Sequence, residues 1–268
     1  MKGLCFTGVL FLLASCGSNP SKQPVVGSSS TRADSFYATK PESVLKDFNT
    51  WYSYTYYNIK LAREFTALGT DSSNINKTDF LNKLVTGKYI ALKTTVKENK
   101  PVYRLFFLPI TANKDISAVV SQMAANEMFN FKKEGTTLPA YRFTDIDNQV
   151  YTAENVKGKY LLLKCWFIHC KACVAEFPQL NKLVAEYKNN SDIIFVSLAM
   201  DSSHLLRDFL KTHPFSYKIV AGAKDYMLKD LGLTSFPTHI LVGPSGKIIK
   251  VANEAEDIIA VLEEKIRT

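Results

Sequence analysis

The apolar run from Leu161 to Phe167, followed at once by Ile168-His169-Cys170-Lys171-Ala172-Cys173, constrains this chain more than any other stretch. It predicts a buried strand that turns directly into a helix with two thiols in the first turn. In a helix's first turn the unpaired N–H groups and the macrodipole favour a thiolate, and cysteines of Cys-x-x-Cys sites have pKa values lowered to about 3.5–7.5. Cys170, first in the helix, is the candidate nucleophile. Cys173 follows three residues later, on the same helical face, where it can attack a mixed disulfide formed at Cys170. The pair can open and close as a redox unit.

Two other uses of such a pair compete. A zinc site needs two further thiol or imidazole ligands, but no second Cys-x-x-Cys exists, and His169, His204, His213 and His239 include no pair at H-x3-5-H spacing. A static structural bridge more often closes a longer loop. Cys165 lies inside the apolar run and reads as a small buried hydrophobe rather than a reactive group.

The chain begins with Lys2, an apolar run through Leu13, and Leu13-Ala14-Ser15-Cys16. The apolar run is too short to span a bilayer as a helix and reads as a secretory signal over residues 1–15. Its last four residues resemble a bacterial lipobox, which implies cleavage before Cys16 and lipidation of that thiol. Gly17, rather than Asp, follows, and by resemblance to sorting rules this favours the outer membrane. The expected location is thus the bacterial envelope, lipid-anchored and facing the periplasm. There the cytosolic reducing pool is absent, so a redox pair needs a dedicated electron partner at the membrane. The formal net charge of +8 comes from lysines spread along the chain, which singles out no nucleic acid.

Residues 16–38 are rich in Ser, Gly and Pro and read as a flexible tether. Residues 39–135 suggest a smaller α+β domain of unreadable role. Val44, Phe48, Tyr52, Thr55, Ile59 and Ala62 predict one amphipathic helix after Pro41 whose aromatics, Trp51 to Tyr57, pack into a core. Tyr89–Val96 and Val102–Leu108 predict a hairpin, and Ile116 to Phe131 a long helix closed by Gly135. From residue 136 to 268 strand and helix signals alternate, which indicates a layered α/β domain. Its predicted strands are 141–146, 149–152, 161–167, 193–199, 217–220, 238–242 and 247–251, with helices at 173–187, kinked at Pro178, and at 205–212, 226–231 and 255–266.

The segment from Leu138 onward resembles the thioredoxin-fold domain of the TlpA/ResA-like thiol–disulfide oxidoreductases of bacterial envelopes. Trp166 precedes the cysteines at the family spacing, Cys170 and Cys173 fall on the redox pair, Glu176 on the helical glutamate and Pro178 on the helix proline. Phe236-Pro237-Thr238 falls where the family places its cis-proline loop. The resemblance implies a central mixed sheet flanked by helices, no cofactor beyond the thiols, and reduction of disulfide-bearing envelope proteins. A cis X-Pro bond costs only about 0.5–1 kcal/mol over trans, so Pro237 can hold a tight turn whose backbone pairs with a substrate peptide. Glu176, three residues beyond Cys173, is expected to take the proton of the resolving thiol.

The chain departs from the pattern at two site neighbours. Lys164 stands where thioredoxin proper has a buried acid, and a lysine there needs a partner, Glu176, or an escape to the sheet edge. His169 stands where the family often has Trp, and a protonated imidazole there would favour the Cys170 thiolate. Two other function classes share the fold. Thiol peroxidases place Thr or Ser three residues before the reactive cysteine, where this chain has Phe167. Copper(I) chaperones space their cysteines by three residues and add a histidine, and this chain does neither.

Overall fold

The computed structural model describes residues 37–95, 98 and 100–267. The proposed signal peptide and Cys16 lie outside the described residues, and within them no helix is long and apolar enough to cross a membrane.

The first half contains α1 (Pro41–Val44), α2 (Phe48–Asn58), β1 (Thr66–Leu68), β2 (Asn74–Ile75), α3 (Lys77–Val85), β3 (Tyr89–Lys93), β4 (Val102–Phe107) and α4 (Lys114–Lys133). Its four strands run in the order β2-β1-β4-β3, with β3 and β4 forming the expected hairpin. Gly135 takes a positive φ of 79° just past α4, a backbone that glycine adopts without steric cost. The single helix expected after Pro41 is two. Asp47 interrupts it and caps the second piece by accepting from the Thr50 amide at 2.7 Å. The buried stripe then runs through Trp51 and Thr55, while Tyr52, Tyr56 and Tyr57 are 46%, 48% and 76% exposed. Only part of that aromatic run is core, because the break at Asp47 restarts the helical phase. β1, β2 and α3 escaped sequence reading: the strands are only three and two residues long, too short to show a period.

The second half contains β5 (Arg142–Thr144), β6 (Val150–Thr152), β7 (Tyr160–Trp166), α5 (Lys171–Ala175), α6 (Phe177–Glu186), β8 (Ile193–Ala199), α7 (Ser203–Leu210), β9 (Lys218–Val220), a π-helical turn (Tyr226–Asp230), β10 (Thr238–Val242), β11 (Ile248–Ala252) and α8 (Ala255–Arg267). A five-stranded mixed sheet runs β11-β10-β7-β8-β9, with β7, β8 and β9 parallel and β10 antiparallel to both neighbours. Alternation along β7 divides its side chains between two faces. Leu161, Leu163 and Cys165 join one apolar cluster, with Val196, Leu198 and Ile240. Leu162 and Trp166 point to the other, under α6 and α8.

The two halves are fastened together. The Gly135 amide donates to the Ile248 carbonyl and the Ile248 amide to the Thr136 carbonyl, so the connection adds itself to β11. Lys60–Glu254 at 2.9 Å, Arg63–Asp257 at 2.5 Å and Lys250–Glu134 at 2.8 Å tie the sides of that seam.

Candidate active site

β7 delivers the chain to the end of the sheet, where Asp201, just after β8, accepts from the Ile168 amide at 2.8 Å and holds the turn before the cysteines. Cys170 occupies the N-cap position of α5 and is joined to Cys173 by a disulfide. The Cys173 amide donates to Cys170 Sγ at 3.2 Å. That donor remains to stabilise a thiolate once the bond is opened. Cys170 is 8% exposed and Cys173 fully buried, so an attacking group from solvent reaches only Cys170.

Trp166 is fully buried behind the pair, its indole N–H donating to Ser197 Oγ at 3.1 Å and its ring edge-on to Phe177. His169 and Lys171 are exposed beside Cys170. Phe236 packs edge-on to Phe167, with ring centroids 5.8 Å apart, and joins the apolar cluster that contains both cysteines. The Phe236–Pro237 peptide bond is cis. Thr238 Oγ1 donates to the Ser235 carbonyl at 2.7 Å, which closes the loop on itself. Through Phe236 the loop that carries Pro237 and Thr238 reaches the apolar cluster containing the redox pair.

Beneath the pair lies a buried charged cluster. Lys164 is fully buried and does not run out to the sheet edge; its ammonium donates to Glu176 Oε2 at 2.5 Å. The strand register sets Lys164 opposite His239 of β10, and His239 Nε2 lies 3.0 Å from the same oxygen. Glu176, the hinge residue between α5 and α6, also accepts from the Ala255 amide through Oε1 at 2.8 Å.

Burial pushes the Glu176 carboxyl up, but the hydrogen bond and charge of His239 and then Lys164 outweigh it, leaving its pKa lowered to about 2. Burial lowers the Lys164 pKa, and Glu176 offsets that only in part. Burial also lowers that of His239, with Lys164 adding to the effect. His239 turns Nε2 to the carboxylate and donates from it, while its Nδ1 is buried without a partner. Glu176 is an ionised acceptor with its oxygens already engaged, which makes it a weak base for a nearby thiol.

Cys165 is fully buried on the opposite face of β7, and burial pushes its thiol up to about 12. His239, Asp201 and Ser197 went unrecognised as site residues in the sequence. The available signal was a pair of polar residues, Lys164 and His239, each interrupting an apolar strand. Among the described residues no three His, Cys, Asp or Glu side chains are grouped to hold a metal.

The Redoxin family model matches residues 133–266. The thiol-disulfide oxidoreductase ResA of Bacillus cereus is 24% identical over 156 residues, 58% of this chain and 88% of that protein. ResA of Bacillus subtilis is 25% identical over 119 residues, 44% of this chain and 66% of its own. A solved thioredoxin domain of a thiol-disulfide oxidoreductase from Bacteroides vulgatus is 25% identical, covers 49% of this chain and 96% of its own, and superposes with a TM-score of 0.44.

Proposed function

This chain belongs to the Redoxin family and is a thiol–disulfide oxidoreductase, and we propose that it works as a lipid-anchored reductase of envelope-protein disulfides through Cys170 and Cys173. The observation that carries the reading is the asymmetry of the pair, one sulfur reachable and one fully buried, beside a proline loop that shares an apolar wall with both.

In the reduced enzyme the Cys170 thiolate attacks one sulfur of a substrate disulfide. The substrate S–S bond breaks, a mixed disulfide forms, and one substrate thiol leaves. Cys173, deprotonated as it attacks, displaces the second substrate sulfur from Cys170 and closes the Cys170–Cys173 bond. Two electrons pass to the substrate, and a membrane dithiol donor must return two electrons and two protons. The loop Phe236-Pro237-Thr238 aligns the substrate backbone at Cys170. Glu176, a weak base engaged by Lys164 and His239, serves Cys173 only as a transient proton relay, and the proton passes on to the departing substrate thiolate.

Burial supports the reductase direction, which rests first on the family resemblance. Glu176 and Lys164 largely cancel as charges, so neither decides it. Complete burial of Cys173 disfavours its thiolate, so ionisation there adds little to the stability of the reduced pair, whereas a strong oxidant owes its potential to a stabilised thiolate. Equilibration of the pair against glutathione tests this. A potential below about −230 mV supports a reductase, and one near the roughly −120 mV of a strong oxidase overturns it.

The anchor at Cys16, the tether over 16–38, the division at residues 39–135 and 136–268, and the outer-membrane, periplasm-facing location belong to the same proposal. The anchor and location are supported by the apolar start and by Leu13-Ala14-Ser15-Cys16, the tether by its Ser, Gly and Pro content, and the division by the separate sheets of the two halves.

A further inference from the structure

The first half of the chain reaches the substrate loop through a directional chain of side-chain amides. Asn130 on α4 is 3% exposed, and its Nδ2 donates to Asn253 Oδ1 at 2.7 Å. Asn253, between β11 and α8, turns its own Nδ2 to the Pro237 carbonyl at 2.8 Å, with Thr238 Oγ1 at 3.0 Å and Ser235 Oγ at 3.2 Å. Chemistry fixes the orientation of each amide. The Pro237 carbonyl can only accept, so it requires the NH2 end of Asn253. The Oδ1 of Asn253 is then left facing α4 and needs a donor, which Asn130 supplies.

The same seam lines an open pocket of about 250 Å³ whose walls include Ile59, Ala62 and Met123 from the first half and Phe236 and Pro237 from the loop. The loop thus has the redox pair on one side and the first half of the chain on the other.

We propose that Asn130 is a positioning residue that, through Asn253, fixes the proline loop for peptide substrates, so that the N-terminal half governs how well a protein disulfide is held at Cys170. This rests on the reductase reading above, in which the loop aligns the substrate. A small disulfide makes no use of the loop and should not feel Asn130. A polypeptide disulfide should.

The test is the full chain reducing insulin, and separately 5,5′-dithiobis(2-nitrobenzoate), with dithiothreitol as electron source and the direct chemical background subtracted. Asn130→Ala should raise KM for insulin about tenfold, equivalent to about 1.4 kcal/mol, with kcat and the small-disulfide rate within twofold of wild type. Asn130→Asp should be worse at neutral pH, because a carboxylate set against Asn253 Oδ1 repels it and favours the flipped amide. As the pH falls and that carboxyl gains a proton to donate, Asn130→Asp should recover relative to wild type measured at the same pH. A merely structural lesion would not reverse in this way.

Unchanged insulin KM in both variants refutes the proposal, as does equal loss on both substrates without recovery of Asn130→Asp at low pH. A wild-type enzyme that reduces neither disulfide refutes the reductase reading, and this proposal with it.

Discussion

Replacing Glu176 by Gln should destabilise the second half of the molecule by about 3 kcal/mol at pH 7. The figure is reached by two routes. The first is titration. The carboxyl has a pKa of about 2 when folded, against about 4.3 for an unperturbed Glu, and at 1.36 kcal/mol per unit that difference is about 3 kcal/mol. The second is burial. Lys164 is fully buried against Glu176, and breaking a buried pair by removing one partner costs about 3–5 kcal/mol. Gln also has one carbonyl oxygen where Glu has two acceptors. It cannot serve the Ala255 amide and the Lys164 and His239 donors together.

The pH dependence has a definite sign. A carboxyl whose folded pKa is depressed contributes stability that is present above its unfolded pKa and is lost as pH falls through the folded value. The gap between wild type and Glu176→Gln should therefore be full at pH 7 and shrink from about pH 5 towards pH 2. The assay is urea unfolding of the oxidised protein at pH 7, 5 and 3, followed by Trp166 fluorescence in a Trp51→Phe background. Adding Lys164→Met to Glu176→Gln removes the stranded cation and should recover at least about 1 kcal/mol. A Glu176→Gln cost below about 1 kcal/mol at pH 7, a gap independent of pH, or a double variant weaker than the single one would refute the account of this cluster.

Two further outcomes are expected. Limiting iodoacetamide on the reduced protein should label Cys170 first, leaving Cys173 and Cys165 intact, since both are fully buried and burial pushes the Cys165 thiol to about 12; peptide mapping that finds the label on Cys173 would reverse the assignment of attacking and resolving thiols. Cys16→Ala should move the protein from the membrane fraction to the soluble one, and a variant that still sediments with membranes would rule out the lipid anchor.

The redox pair was legible because strand, turn and thiols are contiguous in the sequence. The sheet was legible for a related reason. Strands such as Ile193–Ala199 are buried on both faces and announce themselves as continuous apolar runs. The first half was read less well. There β1 and β2 are short, and Asp47, a polar residue of ordinary appearance, breaks one helix into two by capping the second. The exposed tyrosines of α2 follow from that break and from nothing visible in their own neighbourhood.

What stayed hidden is held together by register and docking. Lys164 and His239 meet because β10 runs antiparallel to β7 with those positions opposed. Had that pairing slipped by one residue, His239 would face the apolar cluster of Leu163 and Ile240, and Lys164 would keep Glu176 alone. Composition cannot distinguish these registers, but electrostatics can. Only the observed one puts a second donor on Glu176 Oε2, and a buried carboxylate is tolerated in proportion to the donors it has. The Asn130–Asn253–Pro237 chain obeys the same logic over a longer range. Each amide has an N–H end and a carbonyl end, so correct docking of α4 on β11 makes two good hydrogen bonds in series, and a docking error reverses at least one. A packed apolar seam tolerates a small shift, but a chain of oriented amides does not. On the proposal above, it is the feature by which the first half of this molecule sets the geometry of the Phe236-Pro237-Thr238 loop.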